Sequence, residues 1–417
     1  DLGDKYPIWV QNDQGKYIQK MADLSGVSGK NLRSKYVRNS YHSYHQRNVY
    51  SNCSKLDNLI YKCWESHIEV VKNGKEVNIC RKDGYRPDSI ENSALVMAYA
   101  VNQTSKLSKQ YGVHKISPVS LSVLPNFETV LKINAPMRQT LRFSDCDNAF
   151  WTTMSRSGVT PTITSLPHSK ENINFFRDSL LYLQPAIFRH EHGHHISMQI
   201  APIYFSYSSE SSVFSKHKSS YQIRYLSDEI PRRAINAELI AGAIGEGVAD
   251  FYSYIAQEDN TYDDLIKIGY QRQARDVNQE KSDDNKIKAL EMKILTRFFR
   301  VKKTFPDNYL TPDHQDIHTL GANIIFGLNS VFKTTYNIGN NRQNKQIQVG
   351  WMERWLRSLN NIKQRTKTPQ EVLRACIYNG IITMKKSPGP PSPKVCSAIE
   401  KWFPVHFIDL QSRLRCT

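Results

Sequence analysis

Phe188-Arg189-His190-Glu191-His192-Gly193-His194-His195 contains the spacing His-Glu-x-x-His, with His190 and His194 as its outer pair. On an α-helix, residues four apart lie on one face, one turn above the other. Both imidazoles can then reach one metal ion. Glu191 follows the first of them and is placed to take a proton from water at that metal. Zinc suits the donor set, because imidazole nitrogens bind it well and catalytic zinc uses three protein ligands with one open position.

A third ligand has to come from elsewhere, and Ala241-Gly242-Ala243-Ile244-Gly245-Glu246-Gly247-Val248-Ala249-Asp250 supplies a candidate. Glu246 and Asp250 stand four apart in a stretch that is otherwise small and apolar. Carboxylates on the buried face of such a helix are costly unless they are paired or bound to a metal. Glu246 as third ligand and Asp250 as hydrogen-bond acceptor for a ligand histidine would remove both costs. His192 and His195 face other sides of the first helix and are expected to meet solvent or to lie behind the ligands.

The chain has 417 residues, of which 39% are hydrophobic and 23% charged. That length is enough for two or three lobes with a substantial core. No apolar run approaches the ~20 residues of a membrane span. The chain opens Asp1-Leu2-Gly3 without Met, which leads to the expectation of a processed chain whose targeting signal is out of view. The formal net charge is +17, which favours anionic surroundings. The basic residues are scattered, so a solvated basic surface able to touch anionic surfaces is expected rather than a specific nucleic-acid site. Seven cysteines, Cys53, Cys63, Cys80, Cys146, Cys376, Cys396 and Cys416, form two groups without Cys-x-x-Cys spacing. Disulfides within each group, Cys376 with Cys396 being one option, would place the protein outside the cytoplasm. Buried free thiols are the other reading.

Along the chain, residues 1 to about 50 read as polar, with Ser25-Gly26-Val27-Ser28-Gly29 as a loop and Tyr41-His42-Ser43-Tyr44-His45 as a solvated one. Residues 67–79 read as a β-hairpin turning at Asn73-Gly74. An amphipathic helix is expected over 88–111 and strands between 118 and 165, including 127–133 and 137–143. The first metal helix is expected over 179–200, with Pro185 near its start or at a kink, and the second over 236–257. Residues 201–234 read as an inserted loop. Helices are expected at 262–300, 318–336, 350–361, 368–380 and 395–402, and residues 387–393 form a stiff Pro-rich linker.

Four short islands, in order, resemble the thermolysin-like zinc metallopeptidases of the gluzincin group. Asn148-Ala149-Phe150-Trp151 looks like the family's edge strand beside the substrate. His190-Glu191-x-x-His194 looks like its zinc helix. Gly242-Ala243-Ile244-Gly245-Glu246-x-x-x-Asp250 is similar to its third-ligand helix, and Asp313-x-x-x-x-His318 to a later pair. The resemblance implies metal ligands His190, His194 and Glu246, general base Glu191, and Asp250 orienting His190. It implies main-chain substrate binding at Asn148 and Ala149. It implies His318 as donor to the oxyanion, with Asp313 behind it. The stretch between His194 and Glu246 is longer than the family's usual spacing, and Tyr204 and Tyr207 both stand as candidates for the family's tyrosine. Ala186 and Gln257 occupy positions where the family has calcium carboxylates, so the double calcium site is not carried over.

The expected fold is therefore α+β, a thermolysin-like two-lobe metallopeptidase. Residues 1–177 would form a β-rich N-terminal lobe with one helix and the substrate edge strand. Residues 178–417 would carry the zinc helices and a mainly helical C-terminal lobe. The expected activity is that of a secreted or periplasmic zinc endopeptidase on peptide or protein substrates. Two rivals are a catalytically silent peptide- or cell-wall-binding protein on the same scaffold, and an amide hydrolase acting on cell-wall peptides.

Overall fold

A computed structural model describes the chain apart from residues 168–180, 206–228, 258–266, 269–272 and 275–313. Short breaks fall at 12–15, 43–45, 58–59, 63–64, 71–73, 126, 134–138, 146–147, 156–157, 339–343, 363–368, 386–388 and 417. The first half is mostly strand: β1 (Gly3–Gln11), β2 (Tyr17–Leu24), β3 (Val37–His42), β4 (Gln46–Asp57), β5 (Ile60–Lys62), β6 (Glu65–Val70) and β7 (Lys75–Glu76). Helix α1 (Ile90–Tyr111) follows, then β8 (Val119–Val123), β9 (Phe127–Ile133), β10 (Gln139–Asp145), β11 (Asn148–Ser155) and β12 (Gly158–Leu166). From there helices dominate: α2 (Pro185–Ile200), α3 (Pro202–Phe205) and α4 (Glu229–Ile255), then the short pair β13 (Lys267–Ile268) and β14 (Gln273–Ala274). The last elements are α5 (His314–Tyr336), α6 (Lys345–Leu359), α7 (Pro369–Ile382), α8 (Pro393–Trp402) and α9 (Pro404–Leu414). Helix and strand are thus mixed, and no described helix is long and apolar enough to cross a membrane.

Residues 1–109, 115–196 and 252–275 form one compact unit. Its central element is α1, whose residues 92 to 102 are all buried. Such a helix can be enclosed only if its polar side chains are satisfied. Asn92 does this by pairing with a strand: it accepts from Trp9 N at 2.8 Å and donates to Trp9 O at 3.0 Å. Asn102 donates to Asp23 O at 3.0 Å, and the Ser93 and Ser165 hydroxyls lie 2.9 Å apart. Strand β1 alternates, with Tyr6, Ile8 and Val10 turned into the core. Besides the β1–β2 and β13–β14 pairs, the described residues of the unit form two five-stranded sheets. One runs β11-β12-β8-β3-β7, and the other runs β10-β9-β4-β5 with β6 paired to β4. In the first sheet, among the described residues, β11 pairs with β12 alone and so stands at the end of the strand order.

Residues 110–114, 197–251 and 276–417 form the second unit. Its core is aromatic. Trp351 stacks on Phe332 with ring centroids 4.9 Å apart and lies parallel to Trp355 at 6.1 Å. Both indoles are buried, and each donates to a carbonyl of α7: Trp351 to Gly380 O and Trp355 to Cys376 O, at 3.0 Å each. The buried Glu353 carboxylate accepts from the Val113 N–H at 2.9 Å. Gly380 admits Leu328 of α5, and Gly327 admits the Phe403 ring, at distances that leave no room for a Cβ.

Several sequence-based expectations change here. The hairpin over 67–79 does not form: β6 pairs with β4 and β7 with β3, so the two halves belong to different sheets. The Asn-Gly signal is local, whereas pairing is decided by partners far away in the chain. Residues 1–50, read as polar with no strand assigned, hold β1 to β3 and the start of β4, and Tyr41 and His42, read as solvated loop, belong to β3. The expected helix over 262–300 gives way to strand at β13 and β14, its remaining residues being outside those described. Only 201–205 and 229–234 of the expected insertion are described; they include α3 and the first turns of α4. Pro185 opens α2 rather than kinking it, at a position where its missing N–H costs nothing.

The expected pairing of Cys376 with Cys396 is also corrected. Cys396 bonds to Cys416, because the chain returns after α9 to the start of α8. Cys376 is a buried free thiol on α7, 3.2 Å from the Tyr204 hydroxyl. Burial pushes its pKa up to about 12, so it stays protonated at neutral pH. Cys80 is free and exposed. The side chains of Cys53, Cys63 and Cys146 lie outside those described. Iodoacetamide at pH 8 is expected to label Cys80 in the folded protein and Cys376 only after unfolding. An unreduced digest is expected to contain the Cys396–Cys416 peptide pair. Native labelling of Cys376 as fast as Cys80 would contradict its place in the core.

Candidate metal centre

Helix α2 has two faces that differ in chemistry, although both are polar. Successive residues advance by about 100°, so His190 and His194 share one side and Arg189, His192 and His195 share the opposite one. On the first side the Nε2 atoms of His190 and His194 face each other at 3.1 Å. Their rings meet edge to face with centroids 4.8 Å apart. Two imidazole nitrogens bound about 2.0–2.1 Å from one tetrahedral zinc would be about 3.3 Å apart. The donor set and this separation fit such an ion. Glu191, between them in sequence, is buried at 9% exposure.

The opposite side is tied to the rest of its unit. Arg189 is wholly buried and donates to Ser253 O at 2.9 Å and to Gln103 Oε1 at 3.0 Å. His192 contacts the Thr104 hydroxyl through Nδ1, and His195 donates from Nε2 to Ser117 O at 2.8 Å. The Ser253 hydroxyl donates to Ala186 O at 2.7 Å. Burial pushes the pKa of His192 well below the usual histidine range and that of His195 down to about 4. Both are therefore neutral. Of the two expectations for them, contact with solvent is overturned, since their exposures are 0% and 1%, and a place behind the ligands is not. That a run of His, Arg and Glu could be buried on nearly all sides was not visible in a count of polar residues.

Glu246 lies on α4 and is partly buried; Asp250, one turn later, is 2% exposed. Helix α4 meets α5 at a contact without side chains. A Cβ at Gly247 would overlap the Gly321 carbonyl oxygen, and one at Gly321 would overlap the Ala243 carbonyl oxygen. Backbones this close let a short reach suffice: His318 Nε2 lies 2.9 Å from Glu246 Oε2. The sequence reading had no signal for this contact, because the two glycines are 74 positions apart and each looks like an ordinary helix-weakening residue.

His190, Glu246 and His318 are candidate ligands for a metal ion. The spacing reading grouped Glu246 with His190 and His194 instead, and did not count His318 as a ligand. Asn148 and Ala149 begin β11, and Ala149 is buried. Trp151 of that strand lies 6.1 Å from the His195 ring. Asp313 and Tyr207 lie outside the described residues. Tyr204 does not serve as an electrophile here, because its hydroxyl is buried against Cys376.

Set against models of known protein families, curated proteins and solved structures, the chain matches none. The resemblance to thermolysin-like metallopeptidases rests on the four motifs alone.

The Gly247–Gly321 contact yields a direct test. Gly321→Ala is expected to force α4 and α5 apart, to cost about 1–3 kcal/mol and to lower metal content. Gly350→Ala on α6, where a Cβ meets only Arg354 at 3.5 Å, is expected to be neutral or stabilising. Equal melting temperatures for the two variants would remove the close contact as the reason His318 reaches Glu246.

Proposed function

We propose that the protein is a zinc-dependent hydrolase of peptide bonds acting outside the cytoplasm. The observation that carries this reading is the 3.1 Å separation of His190 Nε2 and His194 Nε2, with Glu191 beside them. His190, His194 and Glu246 would hold the ion. Zinc, when bound, supplies a Lewis acid and acidifies water. Glu191 would take the proton from water and pass it to the leaving amine. His318 would donate from its ring to the developing oxyanion. Its contact with Glu246 limits its freedom before substrate arrives.

A peptide as substrate is supported by β11, which ends its sheet among the described residues. An extended peptide can add to the end of a sheet as another strand. Asn148 and Ala149 stand at the start of that strand, and its Trp151 reaches the helix that carries the two histidines. Action outside the cytoplasm is supported by the Cys396–Cys416 disulfide.

Glu191→Gln is expected to retain about one zinc per chain and to lose most cleavage of unfolded casein. Unchanged turnover would remove Glu191 as the base, and absence of turnover in the zinc-loaded wild type would favour a binding protein. His318→Ala is expected to keep the zinc and lower kcat by about 100- to 1,000-fold with little change in KM. Loss of zinc in that variant would instead make His318 a ligand, and unaltered kcat would leave it without a role.

A further inference from the structure

Helix α2 buries two histidines that the proposed reaction does not use. His192 and His195 are 0% and 1% exposed, and with Arg189 they occupy positions i, i+3 and i+6. That face is about 160–200° around the helix from His190 and His194, measured from His192. Each of the three has a defined anchor. Arg189 is held by Ser253 O and by Gln103, and Gln103 is itself oriented by donating to the Tyr99 hydroxyl at 2.8 Å. His195 is held by Ser117 O. At the His192 contact the one hydrogen of the Thr104 hydroxyl has three acceptors within reach, Ala100 O at 3.1 Å, Val101 O at 3.2 Å and His192 Nδ1; the tautomer of the ring sets which of the two groups donates.

Neither His192 Nε2 nor His195 Nδ1 has a hydrogen-bond partner among the described residues. Buried polar atoms without partners weaken a fold, and an apolar side chain of similar size would avoid the loss. Removing His192 would also leave Thr104 satisfied through Ala100. Packing alone therefore gives no reason for histidine at this position, whereas a directional bond does. A leucine in that space could slide or rotate, but a ring nitrogen bonded to a fixed hydroxyl cannot.

We propose that Arg189, His192 and His195 are positioning residues that fix the rotation of α2 about its axis, and so set the direction in which the His190 and His194 nitrogens face. The inference rests on the reading that these two nitrogens bind a metal. A rotation of the helix by a few degrees keeps their separation and turns both ligand rings together. Residues that orient ligands in this way typically change metal affinity 10- to 100-fold when lost.

The test uses the full chain with Zn(II), by competition against a chelator of known affinity, and with Co(II), by its visible d–d spectrum. His192→Leu is expected to keep or raise the melting temperature, to weaken zinc binding by about 10- to 100-fold, and to alter the Co(II) spectrum. His192→Asn keeps a hydrogen-bonding group near the Nδ1 position and is expected to restore both readouts. If His192→Leu fails to fold, Thr104→Val, which deletes the hydroxyl, is expected to lower zinc affinity in a folded protein. Zinc affinity and Co(II) spectrum of a folded His192→Leu or Thr104→Val equal to wild type would overturn the proposal. Failure of His192→Asn to rescue would also overturn it. A wild type that binds neither metal would instead sink the metal reading itself, a different outcome from variants that match a zinc-binding wild type.

Discussion

Burying a helix made of charged and titratable residues is the constraint on which the site depends. Arg189, His190, Glu191, His192 and His195 are all at or below 9% exposure in α2. Polar groups can be enclosed only if something answers them. On one face the answer is the surrounding protein: Gln103, Thr104, Ser117 and Ser253. On the other the two ring nitrogens face each other, an arrangement that a shared cation would satisfy. The two faces depend on each other, since the anchoring bonds decide where the ligand face points.

The other candidate site residues are positioned by different means. Glu246 and His318 come together because two glycines let α4 and α5 touch backbone to backbone. Strand β11 comes to α2 through Trp151 and His195. In the remaining helices the aromatic stack of Phe332, Trp351 and Trp355 holds the framework in which α5 is fixed. Small residues set distances and large ones set rigidity.

Much of the local structure was readable in advance, and the misses have physical reasons. Strong 3.6-residue periodicity placed α1, α5, α6 and α7 to within a few residues, because apolar spacing on a helix is set by the chain itself. Strands β1 to β3 were missed although β1 alternates Tyr6, Ile8 and Val10. Their polar neighbours masked a two-residue period that is short in β1 and weaker still in β2 and β3. The 67–79 hairpin was read from a turn signal, yet β6 and β7 went to separate sheets because their pairing partners lay elsewhere. The disulfide was misassigned for a related reason: Cys376 and Cys416 both lie 20 residues from Cys396, so spacing could not choose between them, and the return of α9 brought Cys416 to Cys396.

His-Glu-x-x-His and Glu-x-x-x-Asp are complete in the primary structure, because ligand spacing on one helix needs only the pitch of that helix. Their face, their depth and their neighbours needed the folded molecule. The same is true of the contact between Glu246 and His318, which no local pattern announces. It exists because Gly247 and Gly321 have no Cβ, and a missing side chain acquires meaning only when another backbone comes against it.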